Sequence, residues 1–213
     1  MKITVYSAIF GDYDHFRPPL NASEDADYVL FTDKPVQVPV WDVRVVDRPY
    51  SRRKSARHYK ILSHRYFPFS DYTIWIDGWL QLIVNPESIL HYLGDNDIAM
   101  ETHAKRDCVY NEAQVVINAR KVIKPIYAMN QVNKYRAWGF PEHYGLTASF
   151  LVIRRNTERL AELEEMWWEE LDRHTLRDQL SFMPCMWHLG MKCSRIPHGQ
   201  GKIYRSFPHA RSY

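Results

Sequence analysis

Apolar runs rich in β-branched and aromatic residues recur at positions 3–10, 28–32, 41–46, 72–76, 97–100 and 149–153. Runs of this kind read as strands. Between them, apolar residues fall at helical spacing. Ser51 can cap a helix reaching about position 66, with Ala56, Tyr59, Leu62 and Tyr66 on one face. Positions 125–138 give a second helical pattern, opened by Pro125 and stopped by Gly139 with Pro141 beyond. Asn156 or Thr157 opens a third, carrying Leu160, Leu163, Trp167 and Leu171. Thr175 opens a fourth, carrying Leu176, Leu180, Met183 and Trp187 and closing near Gly190. Strands alternating with helices predict an α/β fold, a mostly parallel sheet flanked by helices. Ligands of such sheets bind beyond the carboxyl ends of the strands.

Composition limits this to one compact domain. The 213 residues are 46% hydrophobic and 25% charged, with 8 Gly and 12 Pro, which excludes a disordered or collagen-like chain. No apolar run approaches the ~20 residues of a membrane helix. The run at 3–10 stops at Gly11-Asp12, as a first strand does and a signal peptide does not. Cys108, Cys185 and Cys193 are odd in number and form no CxxC, which fits a reducing compartment. The expectation is a cytoplasmic protein without a membrane span.

The net charge of +3 is too small to suggest a nucleic-acid binder, but it is unevenly spread. Arg44, Arg48, Arg52, Arg53, Lys54, Arg57, Lys60 and Arg65 face only Asp47 in their segment. After Asp178 acidic residues stop, while Lys192, Arg195, Lys202, Arg205 and Arg211 follow. Two basic segments thus sit on an otherwise acidic chain.

Five constellations could carry chemistry. Asp77-Gly78 ends the apolar run at 72–76, where a carboxylate can meet a divalent cation or a ribose hydroxyl, or can simply make a turn. Arg53, Arg57, Lys60 and His64 form one stripe on the helix from Ser51 and suit a polyanion such as a diphosphate. The stripe lacks the intervening acids that would pair with it. His103, Arg106, Asp107 and Glu112 cluster after a strand-like run, which also describes a surface loop with local ion pairs. Asp178 follows Thr175 by three, close to a capping box, and taken alone reads as a cap. His198-Gly199-Gln200-Gly201-Lys202 could bring backbone, imidazole and ammonium to a ligand, or be a glycine turn. Cys185, His188, Cys193 and His198 have a zinc-knuckle rhythm, but two of them fall inside a helical pattern, which disfavours zinc.

Several pieces occur together in order: Gly11-Asp12-Tyr13-Asp14, Phe31-Thr32-Asp33, Arg53 to Lys60, Trp75-Ile76-Asp77-Gly78, His103 to Glu112, Gly139-Phe140-Pro141, Trp167-Trp168 and Arg177-Asp178-Gln179. In this combination the chain resembles a glycosyltransferase-like family, formerly a domain of unknown function, that includes plant mucilage-related and turgor-regulation proteins. The resemblance runs from about Tyr6 to Phe182. It implies a GT-A-type fold, with a nucleotide-binding part over about 1–100 and an acceptor and catalytic part over about 101–213. Phe10 and Gly11 would belong to the first nucleotide-site loop, and Asp33 would sit near base or ribose. Arg53, Arg57 and Lys60 would face the nucleotide. Asp77 would stand at the metal-binding aspartate of the DxD motif, with Trp79 in place of the second aspartate. Asp178 and Gln179 would be the catalytic pair beside the transferred sugar, with Asp178 the carboxylate nearest the anomeric carbon. His198 would bind metal, and Gly201 and Lys202 would hold diphosphate. His103, Arg106, Asp107 and Glu112 would contact substrate.

The implied activity is sugar transfer from a nucleotide-diphosphate sugar to a glycan or other hydroxyl acceptor, with Mn2+ or Mg2+ and basic groups on the leaving diphosphate. Two other classes stay open. A nucleotidyltransferase would use the same diphosphate logic and release pyrophosphate. A non-enzymatic nucleic-acid-binding module would use the basic segments and lose affinity steeply with salt. Modified nucleic acid is a further acceptor class.

Overall fold

The computed structural model describes residues 1–199 and 202–210. Seven strands form one sheet in the order β3-β2-β1-β4-β7-β6-β8. They are β1 (Ile3–Ile9), β2 (Ala26–Thr32), β3 (Asp42–Val45), β4 (Tyr72–Ile76), β6 (Ile98–Thr102), β7 (Thr147–Arg155) and β8 (Ser194–Ile196). Only β7 runs against the others, between β4 and β6. The parallel character expected from the alternation of elements is therefore present. Because β7 pairs directly with β4, the two halves of the chain share one sheet. A second, two-stranded sheet joins β5 (Leu80–Leu82) to β9 (Tyr204–Ser206).

β1 is buried at every position because both sheet faces are covered. Tyr6, Ala8 and Trp75 pack into the core under the helices, while Ile3, Val5, Ile74 and Ile76 pack against β5 and a 3-10 helix at Pro86–Leu93. The helices are α1 (Arg52–Ile61), α2 (Ser63–Tyr66), α3 (Val109–Asn118), α4 (Pro125–Ala137), α5 (Glu158–Arg173) and α6 (Asp178–His188). In α5 Thr157 Oγ1 accepts the Leu160 amide, a cap of about 1 kcal/mol. Leu160, Leu163, Trp167 and Leu171 are buried on its inner face, each stabilising by roughly 2 kcal/mol.

Three expectations change. The helix from Ser51 breaks at Leu62. The break is held by the buried Glu164 of α5, whose carboxylate accepts the Ser63 hydroxyl and the His64 amide. Arg154 pairs with the same carboxylate and donates to Lys60 O at the end of α1. The fourth helix begins at Asp178, not Thr175, because the Thr175 hydroxyl donates to Gln131 instead of capping. Glu112 lies within α3, so the polar cluster after β6 is part helix. Cys185 is buried in the apolar core of α6, as the helical reading of that segment requires.

Candidate functional site

Lys60 of α1 points through the core to the carboxyl end of β4. Its Nζ lies 2.8 Å from Asp178 Oδ2, 3.4 Å from Asp77 Oδ1 and 3.0 Å from Ser149 Oγ of β7. Arg57 Nε lies 3.0 Å from the same Asp178 oxygen. Burial works to raise the Asp178 carboxyl, but Arg57 and Lys60 outweigh it and hold the group far below the usual carboxylate range. For Lys60, burial lowers the ammonium against the pull of Asp178 and Asp77. Asp178 is thus a fixed anion that aims two cations. Asp77 accepts the Trp75 indole N–H at 2.6 Å and the Trp79 indole N–H at 3.4 Å.

Above this cluster a cleft of about 430 Å3 opens at the ends of β1 and β4. Phe10, Gly11, Arg52, Arg53, Arg57, Asp77, Gly78, Trp79 and Arg177 line it, together with Asp14 and His209. Gly11 has φ +64, and a Cβ there would collide with the Arg52 side chain, so glycine lets backbone and guanidinium share the cleft edge. Its amide donates to Asp33 Oδ1 at 3.0 Å, which ties the β1 loop to the end of β2. Arg177 donates to Gln179 Oε1 at 3.1 Å and lies 3.8 Å from Glu112. The arrangement is a concave, cationic site with one carboxylate at its floor, and it can hold a diphosphate.

The TOD1/MUCI70, glycosyltransferase-like domain family matches residues 28–197. The chain belongs to this family. It is 29% identical over 210 residues to a probable hexosyltransferase MUCI70 of Arabidopsis thaliana, covering 84% of this chain and 36% of that protein. It is 23% identical over 227 residues to alkaline ceramidase TOD1 of the same plant, covering 89% of this chain and 49% of that one. The chain thus spans at most about half the length of either relative. Its fold matches the apo structure of the bifunctional glycosyltransferase WbbM with TM-score 0.53 at 10% identity, over 92% of this chain and 38% of that one. The fold is GT-A-like.

Within this family member, the residues expected at the site divide into three groups. Phe10, Gly11, Arg53, Arg57 and Asp77 come together in the cleft wall. Lys60 and Asp178 lie beneath it, which corrects the picture of Lys60 on an open stripe and of Asp178 as a simple cap. His64 leaves the stripe altogether and pairs with Glu164 and Glu165 of α5.

Of the rest, His103, Arg106, Glu112 and His198 lie near the end of β6. His198 Nδ1 lies 2.6 Å from Glu101 Oε1, and Tyr204 donates to Glu101 Oε2 at 2.7 Å. β7 separates this strand from the one that carries Asp77. Arg106 pairs with Glu112. Burial lowers the nearby His103, with Glu112 opposing and Arg106, His198 and Arg177 adding. Asp107 stands apart, exposed and paired with His143 at 2.9 Å. Lys202 is exposed in a turn, and Gly201 lies outside the described residues.

The spacing does not single out His209, Asp14, Arg52 or Arg177 as a set. His209 Nδ1 lies 2.8 Å from Asp14 Oδ1, and its ring packs 4.9 Å from Tyr13 and 5.9 Å from Trp79. Burial raises the Asp14 carboxyl against the pull of His209. The second basic segment therefore meets the cleft through a histidine. Its Arg195 instead donates to Leu146 O.

Proposed function

We propose that this domain transfers a sugar from a nucleotide-diphosphate sugar to a hydroxyl acceptor, with the diphosphate seated in the cleft at the ends of β1 and β4. The observation that carries this reading is the convergence of Arg52, Arg53, Arg57 and Arg177 on a cleft floored by Asp77. The bond from the anomeric carbon to the diphosphate oxygen breaks, a bond to the acceptor oxygen forms, the acceptor's hydroxyl proton is released to solvent, and negative charge grows on the leaving group. Guanidinium groups already in place stabilise that charge without reorganisation. Asp178 and Lys60 are positioning residues, since they hold Arg57 and Asp77 from below. Gln179 and Glu112 do the same for Arg177. The acceptor would approach from the β6 side, where His103, Arg106 and the Glu101–His198 pair lie.

Asp14 is the second carboxylate of the cleft, but His209 engages it, and the donor set does not suit a two-carboxylate cation site. Trp79 replaces the second aspartate, and Asp77 already accepts two indole N–H groups beside the Lys60 ammonium. His198 is held by Glu101. Among the described residues, no group of three or more His, Cys, Asp or Glu is placed to hold a metal. Basic groups therefore take the place of Mn2+ or Mg2+ in this reading.

A thermal-shift panel of nucleotide sugars with and without manganese tests it. A ligand of the folded state at a hundredfold excess over Kd adds about 2.7 kcal/mol of stability. A shift with a nucleotide-diphosphate sugar in the absence of manganese is expected, lost in Arg57→Ala. No shift with any donor, or release of pyrophosphate on turnover, would overturn the reading.

A further inference from the structure

The chain between Glu112 and Glu142 holds no acidic residue but contains Arg120, Lys121, Lys124, Lys134 and Arg136. It is a third basic stretch beyond the two that the charge run of the sequence marks. It forms the end of α3, the connection to α4 and α4 itself. Lys134 pairs with Glu170, and Arg136 stacks over Tyr110. Among the described residues, Arg120, Lys121 and Lys124 form no ion pair and are exposed.

Large apolar side chains stand exposed between these cations. Ile123, flanked by Lys121 and Lys124, is 92% exposed. Ile126, Tyr127 and Met129 follow at 53%, 42% and 49%. Lys124 Nζ lies over the Tyr127 ring, 5.5 Å from its centroid. Scattered exposed apolar residues need no explanation, whereas large exposed patches mark interaction surfaces, and here four such side chains stand within positions 123–129.

We propose that this α3–α4 tip docks the domain on an anionic membrane surface. Aliphatic side chains at the very tip would enter the boundary between headgroups and acyl chains, with the lysines reaching back to lipid phosphates. Nucleic acid would use the cations but has no site for Ile123, Ile126 and Met129. A second copy of the chain would bring the same cations face to face. No helix among the described residues is long and apolar enough to cross a membrane, so this contact lies at the surface. It does not depend on the sugar-transfer reading.

Flotation with vesicles of phosphatidylcholine, with and without phosphatidylserine, tests the surface directly. Binding is expected only with phosphatidylserine present. Ile123→Asp should weaken partition about tenfold or more through lost apolar burial. Lys121→Gln with Lys124→Gln should weaken it about thirtyfold. Both sets are exposed, and an unchanged melting temperature shows that they fold. Absence of binding to either vesicle, or binding indifferent to Ile123→Asp, overturns the proposal. So does self-association without vesicles that Ile123→Asp abolishes, or binding to polyuridylate in place of vesicles.

Discussion

Lys60 Nζ and Asp178 Oδ2 meet 2.8 Å apart, with only 1% and 5% of their side chains exposed. They come from α1 and α6 and are 118 positions apart in the chain. Removing one partner of such a pair leaves the other charge buried and uncompensated, which typically costs 3–5 kcal/mol. Arg57 remains beside Asp178 and offsets part of that. Lys60→Met should therefore cost about 3 kcal/mol, and Asp178→Asn a similar amount. The double variant should lose clearly less than the sum, as a urea double-mutant cycle would show. Strict additivity would mean that the contact does not couple the two helices.

His64 gives the fold a pH dependence. Its Nδ1 and Nε2 lie 2.6 Å from Glu164 and 2.9 Å from Glu165. The Glu164 hydrogen bond above all raises its pKa over the ordinary 6.5, with burial opposing and Glu165 adding. A raised folded value means that the contribution is complete below 6.5 and fades as pH rises through the folded value. His64→Ala should cost about 2 kcal/mol below that window. The gap between wild type and variant should narrow on the alkaline side. Melting curves of both proteins across this range provide the check, and a constant gap would contradict the imidazolium assignment.

The same contacts explain what the sequence could and could not reveal. β1, β2 and β4 are legible because buried strands are continuous apolar runs. α4 is legible from Pro125 and Gly139, and α5 from its cap and its apolar period. α3 is not, since Val109, Val115, Val116 and Ile117 are β-branched and weaken its helical signature. The break at Leu62 depends on Glu164, about a hundred positions away. Lys60 looks like a surface lysine until Asp178 reaches it. Of the site, the glycine and carboxylate ends of strands were readable, because each is adjacent to its strand. Arg177 and His209 reach the cleft only through the tertiary fold.

Gly78 has little room for a side chain. A Cβ there would stand 2.6 Å from Ile9 Cδ1 and 3.0 Å from Asp14 Cβ. Ile9 is buried in β1 and cannot swing aside freely. Gly78→Ala should cost about 2 kcal/mol through overpacking. It should also weaken donor binding, because the displaced residues carry the β1 side of the cleft. Denaturation and ligand titration on the same variant separate the two effects. Unaltered stability would show that the β1 loop yields more easily than its packing indicates.

His198 and His209, both beyond α6, can be told apart by what each one holds. His209 sits on Asp14 in the cleft wall, between the rings of Tyr13 and Trp79. His198 sits on Glu101, itself 1% exposed, at the end of β6. With Nδ1 engaged by Asp14, the other nitrogen of His209 is left to meet a phosphate oxygen. Such a bond is worth about 1.5 kcal/mol, so His209→Ala should raise the donor Kd about tenfold. Asp14→Asn should give a smaller rise, because the imidazole stays but loses the carboxylate that orients it. His198→Ala should leave donor affinity unchanged and lower stability, since Glu101 would keep only the Gly199 amide and the Tyr204 hydroxyl. Calorimetric titration of the nucleotide sugar that shifts the melting temperature measures all three. If His198→Ala impaired donor binding and His209→Ala did not, the diphosphate would lie toward β6, and the cleft between β1 and β4 would need another occupant.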